Sequence, residues 1–285
     1  DDDHGDVSDP LAAMDYREWP PHPALRPFVC AYWALRGSGG EASPQPVLPD
    51  GASELIVHRE RPFRRYTAAN GGERQAERLF VGQMRAPVVL QAEGAADVVA
   101  VRFRPHGAYA LLGCPQHVYA DAIPDAEALE MPWLNAAMRR AQEAESAPAA
   151  IACLEEALLR RVPVRARRDP RVGAALAAIE QSGGDLRVET AAAKAGASRR
   201  HLERLFREEV GVGPKVFARL VRFQAAAARV IAEPEVPLVT VSGESGYFDQ
   251  SHMIRDFLAF AGSSPDELRR RLGQMTAWML AAPPR

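Results

Sequence analysis

One pattern of residues occurs twice in the last third of this chain, and that repeat limits the fold more than any other feature. His201 matches His252, Leu202 matches Met253, Arg204 matches Arg255, Phe206 matches Phe257, Gly211 matches Gly262 and Pro214 matches Pro265, each pair 51 positions apart. Upstream, Gly196 matches Gly246 at a spacing of 50, so the second copy carries one extra residue in its turn. A repeat of this length implies two copies of one supersecondary unit. Each copy reads as a helix, a tight turn containing glycine, and a second helix opened by a capping residue, Ser198 in the first and Asp249 in the second. That layout is a helix-turn-helix.

The second helix of copy one buries a stripe of Leu202, Leu205, Phe206 and Val210 at helical spacing, which leaves Arg199, Arg200, Glu203, Arg204 and Arg207 facing outward. In copy two the expected buried residues are Met253, Ile254, Phe257 and Leu258, with Gln250, Ser251, His252, Arg255 and Asp256 left available. Arginine, glutamine, serine and histidine can hydrogen-bond base edges or phosphates, so both helices are candidate recognition helices. For one copy, the competing reading is two packed helices with a solvated charged face. The duplication argues against it. Between the copies, Pro214 to Glu233 reads as one long helix, with Pro214 at its first position and Pro234 as its stop. Twenty residues at ~1.5 Å each span roughly 30 Å, close to the ~34 Å between major-groove faces one turn apart.

These residues resemble the AraC/XylS family of transcription regulators, whose DNA-binding module joins two helix-turn-helix subdomains by a long helix. The resemblance covers about 100 residues and rests on two stretches. One is Ala195-Gly196-Ala197-Ser198-Arg199-Arg200-His201-Leu202-Glu203-Arg204-Leu205-Phe206, and the other is Ser245-Gly246-Tyr247-Phe248-Asp249-Gln250-Ser251-His252-Met253-Ile254-Arg255-Asp256-Phe257. It implies DNA contacts from Arg200, Glu203 and Arg204 in the first recognition helix, and from Gln250, Ser251, His252 and Arg255 in the second. Val241-Ser242, Met253 and Ser264-Pro265 depart from the usual pattern, but none of them removes a polar contact residue. The implied partner is double-stranded promoter or operator DNA. A small-molecule effector, a homodimer partner and, for an activator, RNA polymerase are further expected partners.

Net charge is distributed to suit this reading. The whole chain stands at −2, but residues 164–273 hold 18 Lys and Arg against 14 Asp and Glu, a net +4, and the remainder holds 17 against 23, a net −6. A basic excess therefore lies where a DNA footprint needs it.

The first half reads as β-rich. Phe28 to Leu35, Glu54 to His58, Arg78 to Met84, Pro87 to Gln91 and Asp97 to Phe103 are short β-prone runs separated by turn signals such as Gly37-Ser38-Gly39-Gly40, Pro49-Asp50-Gly51 and Asn70-Gly71-Gly72. Val99, Val101 and Phe103 alternate with Ala100 and Arg102, which places one apolar row on a core-facing side. Trp133 to Glu145 and Ala149 to Arg161 follow as amphipathic helices split by Pro148. Val162 to Pro170, with two prolines and three arginines, reads as a linker. The expected architecture is α+β: an N-terminal small barrel or sandwich-like domain with flanking helices over residues 1–163, and an all-α domain over residues 169–273. Tyr32-Trp33, Leu48-Pro49-Asp50-Gly51 and Val101-Arg102-Phe103-Arg104-Pro105 resemble, more weakly, N-terminal domains of some AraC/XylS regulators. Such domains sense a ligand or self-associate, and a barrel interior here makes Tyr32, Trp33, Arg102 and Phe103 candidate lining residues. The two amphipathic helices offer a self-association surface, or simply pack on the sheet.

Other classes are disfavoured. The acidic start, Asp1 to Asp6, is unlike a secretory signal, no apolar run is long enough to span a membrane, and Cys30, Cys114 and Cys153 are scattered; a cytoplasmic protein is expected. His58, His106 and His117 lack metal-ligand spacing, so no metal or cofactor is expected. No G-x-S-x-G, phosphate loop, dinucleotide fingerprint or zinc-protease helix occurs, so no enzyme is expected. Two alternatives remain: a DNA-repair enzyme carrying the same module, which needs clustered cysteines where Cys30 stands alone, and a protein-interaction module without DNA activity.

Overall fold

The structure, a computed structural model, describes residues 14–37, 43–67, 70–162 and 169–271. Most of the linker, residues 38–40 of the first turn signal, the acidic start and residues 272–273 lie outside the described residues.

Nine strands form two antiparallel sheets among the described residues. Five make the first sheet in the order β1 (Met14–Trp19), β2 (Val29–Gly37), β9 (Ala96–Phe103), β4 (Glu54–His58) and β7 (Arg78–Val81). Four make the second, in the order β3 (Gln45–Val47), β8 (Val88–Gln91), β5 (Arg64–Thr67) and β6 (Asn70–Arg74). The sheets do not close into a barrel, so of the two expected forms the sandwich-like one is correct. Asn70 to Gly72, expected as a turn, opens strand β6 instead. Four strands escaped the sequence reading: β1, β3, β5 and β6 are short or polar, and three of them lie at sheet edges.

Strand β9 is buried on both faces rather than one. It sits at the centre of the first sheet, paired with β2 and β4, so helices cover one side and the second sheet covers the other. On the helix side, Val99, Val101 and Phe103 join Tyr32 and Leu55 under α1 (Gly107–Leu112), α2 (Pro132–Glu143) and α3 (Ala147–Leu159). Met138, Ile151, Leu154 and Leu158 fill that core, so the apolar faces of α2 and α3 are spent on packing. Pro148 lies in the first turn of α3, after the cap Ser146, where a missing N–H costs nothing.

Residues 169–271 are all helical: α4 (Pro170–Gln181), α5 (Val188–Lys194), α6 (Arg199–Glu209), α7 (Pro214–Ala232), α8 (Leu238–Glu244), α9 (Gln250–Ala261) and α10 (Pro265–Arg271). Two cores form on opposite ends of α7. Phe217 packs with Leu176, Ile179, Leu202 and Phe206 in the first; Phe223 and Val230 pack with Val241, Met253 and Phe257 in the second.

Candidate nucleic-acid interface

The repeat folds twice into one geometry. In copy one, α5 ends at a turn where Gly196 takes φ +64° and the Ala197 N–H reaches back to Ala192 O at 2.9 Å. In copy two, α8 ends the same way, with Gly246 at φ +74° and the Tyr247 N–H on Ser242 O at 3.0 Å. A left-handed residue is what lets the chain reverse there, and glycine takes it without a Cβ penalty. Each candidate recognition helix then starts on its cap: Ser198 Oγ accepts from the His201 N–H at 3.3 Å, and Asp249 Oδ1 accepts from the His252 N–H at 2.6 Å.

On α6, Arg200, Arg204 and Arg207 share an exposed face. Arg204 is paired with Glu208 at 3.2 Å and Arg199 with both Glu203 at 2.9 Å and Glu189 at 2.7 Å. These are solvent-exposed pairs of little energetic weight, so a phosphate can displace the carboxylates at small cost. On α9, Gln250, Ser251 and Arg255 are exposed, with Arg255 Nε donating to Ser251 O at 3.3 Å. His252 is half-buried, its ring edge-on to Tyr247 at 5.2 Å.

Three expectations for α9 are corrected. Asp256 is buried, not available: Arg219 of α7 donates to its Oδ1 from Nε at 3.0 Å and from a terminal nitrogen at 2.7 Å. Leu258 is exposed and Ile254 only half-buried, because the buried face of α9 runs through Met253, Asp256, Phe257 and Phe260 instead. The hidden ion pair made the apolar stripe look rotated. Two exposed apolar residues beside the interface, Phe248 and Leu258, were therefore missed as surface features.

The N-terminal domain borders the same surface. Pro115 and His117 wall a groove whose other side is Ser198, Arg200, Arg204 and Arg207 of the first unit. Tyr109 Oη of α1 donates to Glu208 Oε1 at 3.2 Å.

Between the two sheets lies a cavity of about 90 Å³ lined by Trp33, Ile56, Phe63, Leu90 and Arg102 among others. Of the four expected lining residues, Trp33 and Arg102 face it. Tyr32 and Phe103 do not: successive strand residues alternate, which turns both into the core under the helices. At one end, Arg102 Nε meets Glu54 Oε1 at 2.9 Å and Asp50 Oδ2 at 3.3 Å, and Trp33 Nε1 donates to Glu54 Oε1 at 2.9 Å. Burial alone would lower the Arg102 guanidinium, but Glu54 and Asp50 reverse that and hold it charged. Burial pushes the Glu54 carboxyl up, against the pull of Arg102. At the other end His58 lines the wall, and burial lowers its imidazole to about 4. His58, His106 and His117 are not brought together, and among the described residues no group of three His, Cys, Asp or Glu side chains could hold a metal ion.

The segment Leu48 to Ala52 belongs to both domains at once. Leu48, Pro49, Asp50 and Ala52 wall the cavity, yet Leu48 packs with Leu220 and Phe223 of α7 in the second helical core. Gln224 of α7 donates to Pro49 O at 3.1 Å, and Gly51, at φ +79°, lies against Phe217 and Leu220.

Two helix-turn-helix units on one shared helix, behind a two-sheet domain, define the class: a helix-turn-helix protein with a separate N-terminal domain. Residues 191–271 match the family model described as a helix-turn-helix domain, and residues 17–125 match one described as a domain of unknown function, DUF6597. The chain is thus similar to a DUF6597 domain in its first half and to a helix-turn-helix domain in its last third. It is similar over 90 residues, at 32% identity, to the HTH-type transcriptional regulator Rv1931c of Mycobacterium tuberculosis, covering 32% of this chain and 34% of that one. It is similar over 107 residues, at 31% identity, to the RCS-specific HTH-type transcriptional activator RclR of Escherichia coli, covering 37% of each chain. The chain therefore spans about a third of the length of the curated relatives it matches. A solved structure, the C-terminal domain of the response regulator AraT from Geobacillus stearothermophilus, is 26% identical with a TM-score of 0.35, covering 38% of this chain and 92% of that one.

Proposed function

We propose that this protein is a sequence-specific transcription regulator that lays α6 and α9 into successive major-groove segments of one DNA duplex. The observation that carries the reading is the twofold capped recognition helix, each with exposed polar residues, set at the two ends of one helix. At ~1.5 Å per residue, the 19 residues of α7 span roughly 28 Å, within reach of the ~34 Å groove repeat. Arg200, Arg204, Arg207 and Arg255 supply phosphate and base contacts, with Arg199, Glu203, Gln250, Ser251 and His252 beside them. Ser198 and Asp249 set the two helices by capping them; the neutral serine leaves the positive end of α6 open to a phosphate, whereas the Asp249 carboxylate already occupies that of α9. A DNA-binding role places the chain in the compartment that holds the DNA. No helix among the described residues is long and apolar enough to cross a membrane.

The cavity between the sheets is the effector site of this reading. Its walls suit a small apolar body, and its Glu54 and Arg102 end suits a polar group that exchanges hydrogen bonds with them. Leu48 to Ala52 form one wall and also bear on α7, so a ligand that shifts this segment shifts the helix that spaces the two recognition helices. DNase footprinting on duplexes selected from a random pool tests the DNA reading. It predicts two protected segments about one helical turn apart on one face; a single protected segment contradicts the use of both helices.

A further inference from the structure

The two recognition helices have the same buried register but different outward chemistry. Leu202 and Met253, Leu205 and Asp256, Phe206 and Phe257, and Glu209 and Phe260 are buried pairs at the 51-residue spacing, so positions related by 51 occupy the same face of α6 and α9. The outward pairs in that register are Arg199 and Gln250, Arg200 and Ser251, Glu203 and Ile254, Arg204 and Arg255, Arg207 and Leu258, and Glu208 and Ala259, with the half-buried His201 and His252 beside them. Only Arg204 with Arg255 and His201 with His252 agree. Where α6 presents four arginines and two glutamates, α9 presents one arginine, one glutamine, one serine and three apolar side chains.

The apolar character continues around the second unit. Phe248, immediately before the cap Asp249, is 93% exposed, and its counterpart in copy one is Ala197. A residue at that position often folds back onto the first turn of the helix. Here Tyr247 takes the buried place, set against the Arg222 guanidinium at 4.8 Å, and leaves the phenyl ring in solvent. Leu258 is 53% exposed on the Ser251 and Arg255 side of α9. In α8, Val239 is 65% exposed where copy one has Glu189.

An apolar surface flanking polar groups at the front of a recognition helix fits one feature of duplex DNA. The major-groove edge of an A·T pair carries the thymine C5-methyl, the one apolar group that any base presents there. We propose that the two units read different chemistry: the first reads guanine and phosphate through Arg200, Arg204 and Arg207, while the second selects thymine methyl groups with Phe248 and Leu258, with Arg255 as its single cationic anchor. This rests on the DNA-binding reading above. It makes the operator asymmetric, with a guanine-containing half-site under α6 and a thymine-rich half-site under α9. It also places most of the salt dependence on the first half-site, because counterion release follows the number of cationic contacts.

The test uses the full-length chain and duplexes selected by it from a random pool, rebuilt with deoxyuridine replacing thymidine in one half-site at a time. Deoxyuridine removes the methyl and leaves base pairing intact. Affinity is expected to fall about fourfold for each methyl contacted when the α9 half-site is replaced, and to hold when the α6 half-site is replaced. Phe248→Ser with Leu258→Ser should bind the thymidine duplex more weakly and lose the distinction between thymidine and deoxyuridine. Equal affinity for all replaced duplexes overturns the proposal while leaving DNA binding intact; combined with unchanged binding by the serine variant, it assigns the apolar patch to a protein partner. Failure to select any sequence overturns the DNA-binding reading and this proposal together.

Discussion

His58 illustrates how a single buried group ties stability to pH. It is fully enclosed beside Phe63, with ring centroids 5.2 Å apart, and burial holds its imidazole at about 4. In the unfolded chain a histidine titrates near ~6.5. The folded state therefore binds fewer protons than the unfolded state between these values. Stability from this group is complete above about pH 6.5 and is lost as pH falls toward 4, by roughly 3 kcal/mol in all. Urea unfolding at pH 7.5 and pH 5 should show about 2 kcal/mol of that loss in the wild type and a flatter profile in His58→Phe. Equal slopes for the two proteins would mean that other groups set the acid limit. Buried Asp256, by contrast, has a partner: its side chain is almost wholly enclosed and accepts two hydrogen bonds from Arg219, whose guanidinium stays partly in solvent.

At the scale of elements, a tight constraint lies where α4 hands over to α5. Gly183 and Gly184 both take positive φ, at +60° and +81°, but only Gly184 stands against another helix: a Cβ there would come within 2.1 Å of Ala218 O in α7. Gly184→Ala should cost several kcal/mol because α7 must move, whereas Gly183→Ala, with open space around it, should cost about 1 kcal/mol of backbone strain. Thermal unfolding of the two variants checks the order, and similar losses would contradict the close approach. These elements also show what the sequence could and could not reveal. Helices α6, α7 and α9 were legible because capping residues, Pro214 and the repeat all point to the same boundaries. Strands β2, β4, β7, β8 and β9 were legible from their aliphatic and aromatic runs. Edge strands such as β1 and β6 carry charged residues, among them Asp15, Arg17, Glu73 and Arg74, that interrupt the apolar pattern, as exposed sheet edges commonly do. The outward face of α9 was misread for a related reason: a buried aspartate breaks the apolar stripe, and its partner Arg219 lies 37 residues upstream, on another helix. Within the cavity, strand alternation puts Trp33 and Arg102 on one face and Tyr32 and Phe103 on the other. Choosing between those faces required the second sheet, whose strands were only half visible.

For the whole molecule, the packing of Leu48 into the second helical core makes the domains interdependent. A substitution in the N-terminal domain should then loosen a recognition helix some 200 positions later. Leu48→Ala removes side-chain contacts with Leu220 and Phe223 and should cost about 2 kcal/mol. It should also speed amide exchange in α9, while leaving α6, which shares no core with Leu48, near its wild-type rate. Unchanged exchange in α9 would show that the interdomain contact carries no stability. The same connection gives the effector reading its route, from Asp50 beside Arg102, through Pro49 O and Gln224, to the helix that holds both recognition helices at fixed spacing.

The central claim is that both recognition helices grip one DNA duplex, and fluorescence anisotropy across a salt series tests it most directly. Wild type would be measured on a selected duplex and on an unrelated one, beside Arg204→Ala, Arg255→Ala and the double variant, each checked for folding by circular dichroism. We predict preferential binding that weakens with salt, a salt slope about one unit shallower in each single variant, and near-complete loss of preference in the double variant. Folded wild-type protein that binds neither duplex at low salt, or variants that bind as tightly and with the same slope as wild type, would contradict the account.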